Sequence, residues 1–424
     1  MLEEFVIQGK RQLKGSVTIS GAKNSALKLL PATLLTDQMC IVKNVPQVSD
    51  INTMIQLLGT LGSSIQRTGD QIRIITPNIK SSLAHYEIVR KMRASTGVLG
   101  PLLARHGEAS VSLPGGCAIG ARPIDIHLDG LSKMGAQIEL KDGYVHAKGQ
   151  LKGAVIHFKF PSMGATENIM MAATLAKGST RIYNAACEPE IVDLAQLLNK
   201  MGAKIRGQGT PDIEIEGVDA LHGAEYETMP DRLEAATYAM AALITNGKIL
   251  LKNTRVEFLE PLRCLNAVKV ELTSDGPVVS GSVEDQRPVN ITTAPFPGFP
   301  TDMQPQMMAL LTQVPGMSVI SEMLFENRFM HVPELIRLGA KIEVMGRSAH
   351  IYGKTPLSGA PVIASDLRGG TALVLAALAA EGETVVKRIY HMDRGYANLM
   401  HNLNACGASV ERLAQQDQKI QLVR

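Results

Sequence analysis

A chain of 424 residues with 45% hydrophobic and 20% charged side chains has room for two or three domains and the composition of an ordinary globular protein, which excludes disordered and fibrous classes. Its net charge of +3 comes from scattered basic residues, so nothing supports nucleic-acid binding, although a few converging cations can still hold a small anion. The N-terminus lacks a basic stretch followed by an apolar core, and the longest apolar run, Ala372 to Ala380, is far shorter than the ~20 residues of a bilayer span. The expectation is a soluble, cytoplasmic protein without membrane attachment. Five cysteines in no CxxC or His/Cys spacing read as free thiols, with no metal site.

The first element in chain order is a strand, Phe5 to Leu13, expected to pair with the second half of the chain. Ser20-Gly-Ala-Lys-Asn-Ser then leads into a helix predicted over Ala26 to Leu35. Amides at such a helix start, with Lys23 and Asn24 beside them, suit a phosphate or carboxylate. The plainer alternative is a capped helix with an exposed lysine, and no GxxxxGK[ST] loop is present.

Beyond this point one pattern is written six times. A helix ends in Gly and a strand follows in Leu-Gly-Ser-Ser-Ile at Gly62, Met-Gly-Ala-Gln-Ile at Gly135 and Met-Gly-Ala-Lys-Ile at Gly202. It returns at Gly339 and Gly407, and Leu-Asn-Ala-Val-Lys-Val carries Asn266 in the glycine position. Gly, and occasionally Asn, suits the left-handed residue that closes a helix. Each unit reads as helix, strand, loop, helix, strand, strand, which exceeds the length of a solenoid repeat. The segments Met170 to Ala176 and Leu373 to Ala380 are apolar on every side, so these helices are expected inside and the sheets outside, three units to a domain. Met229-Pro-Asp-Arg is a plausible crossing between the third and fourth units.

Each unit also carries a different polar loop before its second helix, and function concentrates in such loops. Leu113-Pro-Gly-Gly-Cys-Ala-Ile-Gly-Ala-Arg-Pro places Cys117 in a Gly-rich setting with Arg122 five residues on, which favours a thiolate. A buried structural cysteine remains the alternative. Arg93, Arg122, Arg328, Arg368 and Arg394 stand near loops or helix starts, where their planar forks fit carboxylate and phosphate, though each alone also fits a surface salt bridge. Asp302 follows the bend Phe299-Pro-Thr and fits either a general base or a helix N-cap before Met303 to Leu311.

Taken together, Gly21-Ala-Lys-Asn, Met92-Arg-Ala-Ser, the Cys117 loop, Ser162-Met-Gly-Ala-Thr and Glu188-Pro-Glu-Ile-Val-Asp resemble the UDP-N-acetylglucosamine 1-carboxyvinyltransferases. Pro230-Asp-Arg, Phe299-Pro-Thr-Asp-Met-Gln, Phe325-Glu-Asn-Arg-Phe-Met-His, Ser365-Asp-Leu-Arg and Asp393-Arg-Gly-Tyr extend the resemblance over nearly the whole chain. The resemblance implies an α/β fold of inside-out barrels, two domains of three units each, at 22–229 and at 1–21 with 230–424. It implies transfer of the enolpyruvyl group of phosphoenolpyruvate to the 3-hydroxyl of UDP-N-acetylglucosamine, without metal or organic cofactor, and inhibition by fosfomycin.

By the same resemblance Cys117 is the general acid and adduct site, Asp302 takes the hydroxyl proton, and Lys23 and Arg394 complete the catalytic set. Lys23, Asn24, Arg122, Arg328, Arg368 and Arg394 surround phosphoenolpyruvate. Arg93, Arg122, Pro123, Ile124, Asp125, Ile126, Phe160, Pro161, Ser162, Met163, Asp302 and Leu324 surround the nucleotide sugar. Phe160-Pro161 stands where some members carry Lys-Val. A related enolpyruvyl transfer onto shikimate 3-phosphate is disfavoured by the cysteine loop and by Met92-Arg-Ala-Ser. A catalytically silent binding paralogue is disfavoured by intact Lys23, Cys117, Asp302 and Arg394.

Overall fold

The structure, a computed structural model, describes residues 3–113 and 124–414. Six four-stranded sheets share one arrangement of strands, a parallel pair extended by two antiparallel strands. In the third unit, Val155–His157 runs parallel to Ser179–Tyr183, which pairs antiparallel with Asp212–Glu216, and Lys204–Arg206 forms the edge. Helix Met163–Ala173 joins the parallel pair, and helix Pro189–Lys200 leads on to the edge hairpin.

Three sheets borrow a strand from elsewhere in the chain. Glu225–Glu227, after the third unit, runs parallel to Cys40–Lys43 of the first. Lys14–Thr18 runs parallel to Lys248–Lys252, and Glu3–Gln8 lies between Glu383–Lys387 and Ser409–Ala414. The expected pairing of the first strand with the second half is therefore present, but the strand is shorter than Phe5 to Leu13. It stops where Lys10 takes a φ of 57° and where a Cβ on Gly9 would lie 1.9 Å from the Ala380 carbonyl oxygen. A second strand then starts at Lys14.

The inner helices are Lys23–Ala32, Leu99–His106, Met163–Ala173, Arg232–Ile244, Gln304–Leu311 and Leu367–Ala379, and most of their residues are buried. Helices apolar all round have no face to offer water, so they gather inside and leave the sheets outside. Small residues let them approach closely. A Cβ on Gly100 would lie 2.3 Å from the Asn168 carbonyl oxygen, and the Gly100 N–H donates to Asn168 Oδ1 at 2.6 Å. The buried apolar side chains form two clusters, one drawn from Ala26 to Leu221 and one from Phe5 to Ile19 with Leu233 to Val410.

Two chain segments run side by side between these clusters. The Ala22 N–H donates to Met229 O at 2.7 Å and the Asp231 N–H to Ser20 O at 2.8 Å. Buried carboxylates fasten both flanks: Asp193 accepts from Ser25 Oγ and from Tyr226 Oη, and Glu234 accepts from the N–H and the hydroxyl of Ser20.

The repeated glycines close their helices as expected, with φ of 116°, 97°, 101°, 100° and 93° at Gly62, Gly135, Gly202, Gly339 and Gly407. Asn266 does not. The fourth unit replaces its outer helix by a 3-10 helix, Val256–Cys264, and the Asn266 side chain instead accepts from the Arg287 N–H at 2.6 Å and donates to Asp285 O at 3.1 Å. Asn266 thus ties the shortened helix to the next loop through its side chain rather than through a left-handed backbone.

Candidate active site

Every sheet holds one parallel pair of strands, whose carboxyl ends point the same way. The loop entering the inner helix and the loop entering the outer helix therefore open at that one end, which is where open α/β sheets place their ligands. Lys23, Arg93, Ser162, Asp302 and Arg368 stand at inner-helix entrances, and Asp125, Leu324, Arg328 and Arg394 lie before or at outer helices. Of these, the structure brings Lys23 to Arg394 through Asp50, and Asp302 to Arg328 and Arg368.

The first cluster there joins the two cores. Asp50, second residue of helix Ser49–Leu61, lies 2.6 Å from Lys23 Nζ through Oδ2. Its Oδ1 accepts from Arg394 Nε at 2.9 Å. Burial works against the Asp50 charge, but Lys23 and Arg394 outweigh it and hold the carboxyl below its ordinary value. Burial pulls the Lys23 ammonium below its ordinary value, with Asp50 opposing and Arg394 and Arg368 adding to the pull. Lys23 opens the helix Lys23–Ala32, three residues earlier than predicted, and is buried, so the exposed-lysine alternative fails. Asn24 is the second residue of the same helix.

Asp302 makes the second cluster. Its Oδ1 lies 2.9 Å from Arg328 Nη2 and its Oδ2 3.3 Å from Arg368 Nη2. Both arginines are buried, whereas the Asp302 side chain is 31% exposed. The N-cap alternative also fails: Asp302 sits in a 3-10 turn, Thr301–Met303, and helix Gln304–Leu311 begins without a side-chain cap. Burial opposes the Arg368 charge, but Tyr396 and Asp302 hold it above its ordinary value, and Nη1 donates to Tyr396 Oη at 3.1 Å. Asp366 caps the helix that carries Arg368, accepting from the Arg368 N–H at 3.0 Å.

The remaining predicted contacts among the described residues stand at helix starts and loops, Leu324 in the second half of the chain and the others in the first. Arg93 opens a 3-10 helix, Arg93–Val98; burial, with Lys28 and then Arg93 adding to it, pushes His127 down to about 3. Ile124 and Asp125 begin the helix Asp125–Lys133, which also holds Ile126. Ser162 Oγ accepts from the Ala165 N–H at 3.3 Å and so caps the helix that Met163 begins. Phe160 is 47% exposed in the loop before it, ahead of Pro161. The Leu324 N–H donates to Glu322 Oε1 at 2.9 Å. Cys117, Arg122 and Pro123 lie outside the described residues.

Three partners were not singled out from the sequence. Asp50 carries no sequence signal, since nothing in Ser49-Asp50 distinguishes a charge bridge from an ordinary first-turn acid. Tyr396 has a usable signal, lying two residues after Arg394. Glu322 has none: it is buried and accepts from Thr293 Oγ1 and from Thr301 Oγ1, each at 2.9 Å, which fixes the turn that carries Asp302.

An inside-out pair of helix-cored, sheet-covered bodies with lysine and arginines gathered around carboxylates is a frame suited to small anions, and its family is shown by likeness to known proteins. Residues 7–403 match the family described as EPSP synthase (3-phosphoshikimate 1-carboxyvinyltransferase), and the chain belongs to this enolpyruvyl transferase family. Among its relatives, a UDP-N-acetylglucosamine 1-carboxyvinyltransferase from Dinoroseobacter shibae is 54% identical over 97% of this chain and 99% of its own. One of the same name from Ruegeria pomeroyi is 52% identical over 97% and 100%. The enolpyruvyl transferase NikO from Streptomyces tendae shares the fold with a TM-score of 0.86 at 23% identity, covering 97% of this chain and 99% of that one. EPSP synthase from Acinetobacter baumannii does so at 0.74 and 17%, covering 98% and 100%.

Proposed function

We propose that the chain transfers the enolpyruvyl group of phosphoenolpyruvate to the 3-hydroxyl of UDP-N-acetylglucosamine and releases phosphate, the first committed step of peptidoglycan precursor synthesis. The observation that carries this reading is the 54% identity over 97% of the chain to a relative of that name. We place the enzyme in the cytoplasm, where its proposed substrates are made; no helix among the described residues is long and apolar enough to cross a membrane.

In this reading Cys117 delivers a proton to C3 of phosphoenolpyruvate and positive charge develops at C2. The sugar oxygen bonds to C2 while its proton passes to Asp302, whose exposed edge reaches substrate. Loss of a C3 proton then re-forms the double bond as the C2–O bond to phosphate breaks, phosphate leaving with the electron pair. Lys23, Asn24, Arg122, Arg328, Arg368 and Arg394 hold the phosphate and carboxylate, and buried cations stabilise charge strongly because no water competes. Arg93, Arg122 to Ile126, Phe160 to Met163, Asp302 and Leu324 hold the nucleotide sugar. Residues 22–229 and 1–21 with 230–424 act as the two bodies that close on the substrates and shield the intermediate from water.

The test is phosphate release by wild type and by Cys117→Ser. Turnover by wild type and a strong loss in C117S are expected, and wild type without turnover contradicts the reading. Fosfomycin should label Cys117 in peptide mass spectrometry. Burial raises the thiol values of Cys40 and Cys406, and a label on Cys40, Cys187, Cys264 or Cys406 instead contradicts the assignment.

A further inference from the structure

Asp50 is buried at the start of a 13-residue helix, a position that itself favours negative charge. Its carboxylate bridges two cations brought from opposite ends of the chain: Lys23 Nζ at 2.6 Å, and Arg394 Nε and Nη2 at 2.9 and 3.3 Å. Lys23 opens an inner helix of the first unit, and Arg394 ends a 3-10 turn, Ile389–Arg394, of the sixth. These are two of the cations assigned above to phosphoenolpyruvate.

We propose that Asp50 is a positioning residue of the transfer reaction, a built-in counter-anion that keeps Lys23 in its ammonium form and sets Arg394 beside it before phosphoenolpyruvate arrives. This rests on the enolpyruvyl transfer reading and deepens it. The physical argument is one of charge balance. Lys23 faces Asp50 from the first outer helix, Arg394 from the sixth unit and Arg368 from the last inner helix, while its backbone N–H donates to Asp231 Oδ2 at 3.1 Å. Guanidinium groups do not give up their protons in proteins, so unrelieved repulsion in a buried site is relieved at the lysine. A neutral Lys23 offers no charge to the substrate phosphate. Asp50 prevents that loss in the empty site, when no substrate anion is there to do so.

The experiment is the pH profile of kcat/KM for phosphoenolpyruvate in wild type, Asp50→Asn and Asp50→Glu. In D50N the alkaline limb should move to lower pH by about one unit or more, the size expected when an adjacent opposite charge is removed. The loss should fall on KM above the new limb, and D50E should restore much of the wild-type profile. A uniform fall in activity with an unmoved limb overturns the proposal. So does a KM that drops at every pH, since Asp50 would then be a competitor for the substrate site. Should D50N fail to fold by circular dichroism, Asp50→Ser, which keeps a helix-start residue, replaces it. A second readout needs no turnover: labelling of Lys23 by an amine-selective acylating reagent at pH 8, mapped by mass spectrometry. Labelling should be about tenfold faster without Asp50, and an unchanged rate also overturns the proposal. Wild type without turnover would instead defeat the transfer reading, leaving the labelling rate to decide what Asp50 does to Lys23.

Discussion

Asp50 and Asp302 are built alike and exposed differently. Each is held between two cations, Asp50 by Lys23 and Arg394, Asp302 by Arg328 and Arg368. The Asp50 side chain is 5% exposed and the Asp302 side chain 31%. A sealed carboxylate sets the charge of its neighbours, whereas one with an open edge can also take a proton from a substrate. Exposure, more than partner identity, separates the two roles.

The largest expected effect breaks the comparison on the catalytic side. Asp302→Ala should lower kcat by about 100-fold or more in a phosphate-release assay, the usual range for a lost general base. An Asp302→Ala enzyme with near wild-type kcat would place the proton acceptor elsewhere.

Asp50→Ala probes the other side. Removing one member of a buried ion cluster leaves its partners uncompensated and costs about 3 kcal/mol, read as a lower urea midpoint. An unchanged midpoint would mean that water reaches Lys23 freely.

A third buried carboxylate sharpens the contrast through pH. Burial pushes Glu234 up to about 7, with Asp231 adding to it, whereas Asp50 is held low. The signs are opposite. Asp50, with its folded value below the unfolded one near 3.8, contributes stability above that pH and loses it as pH falls through the folded value. Glu234, with its folded value above the unfolded 4.5, binds its proton more tightly when folded, so its cost grows as pH rises from 4.5 to about 7. Glu234→Gln should therefore gain on wild type between pH 5 and pH 8 in urea unfolding. A constant difference across that range would contradict the buried, protonated state.

The smallest effect concerns the frame of Asp302. Thr301→Val removes one neutral donor to the buried Glu322 and should cost about 1 kcal/mol in stability, with kcat falling by no more than about tenfold. A loss as large as that of Asp302→Ala would make Thr301 part of the chemistry.

Much of this was legible in the sequence, and the gaps have physical causes. Helices apolar on every face, such as Leu367–Ala379, declare themselves buried, and the five repeated glycines mark their helix ends. The short edge strands of most sheets were missed because segments such as Leu83–Ala84 and Pro361–Ile363 are too short to show a period of two. Lys23, Arg328, Arg368, Arg394 and Asp302 were found from loop position and motif, but their pairing was not. Asp50 belongs to the first unit and Arg394 to the sixth, and only folding brings carboxylate and guanidinium within 2.9 Å. Charge bridges between distant units leave no local pattern.

The most direct test of the account is phosphate release from phosphoenolpyruvate with two acceptors offered separately, UDP-N-acetylglucosamine and shikimate 3-phosphate. The account predicts stoichiometric release, and a product heavier by the enolpyruvyl group, with the nucleotide sugar alone. Release only with shikimate 3-phosphate, or with neither acceptor, would contradict it.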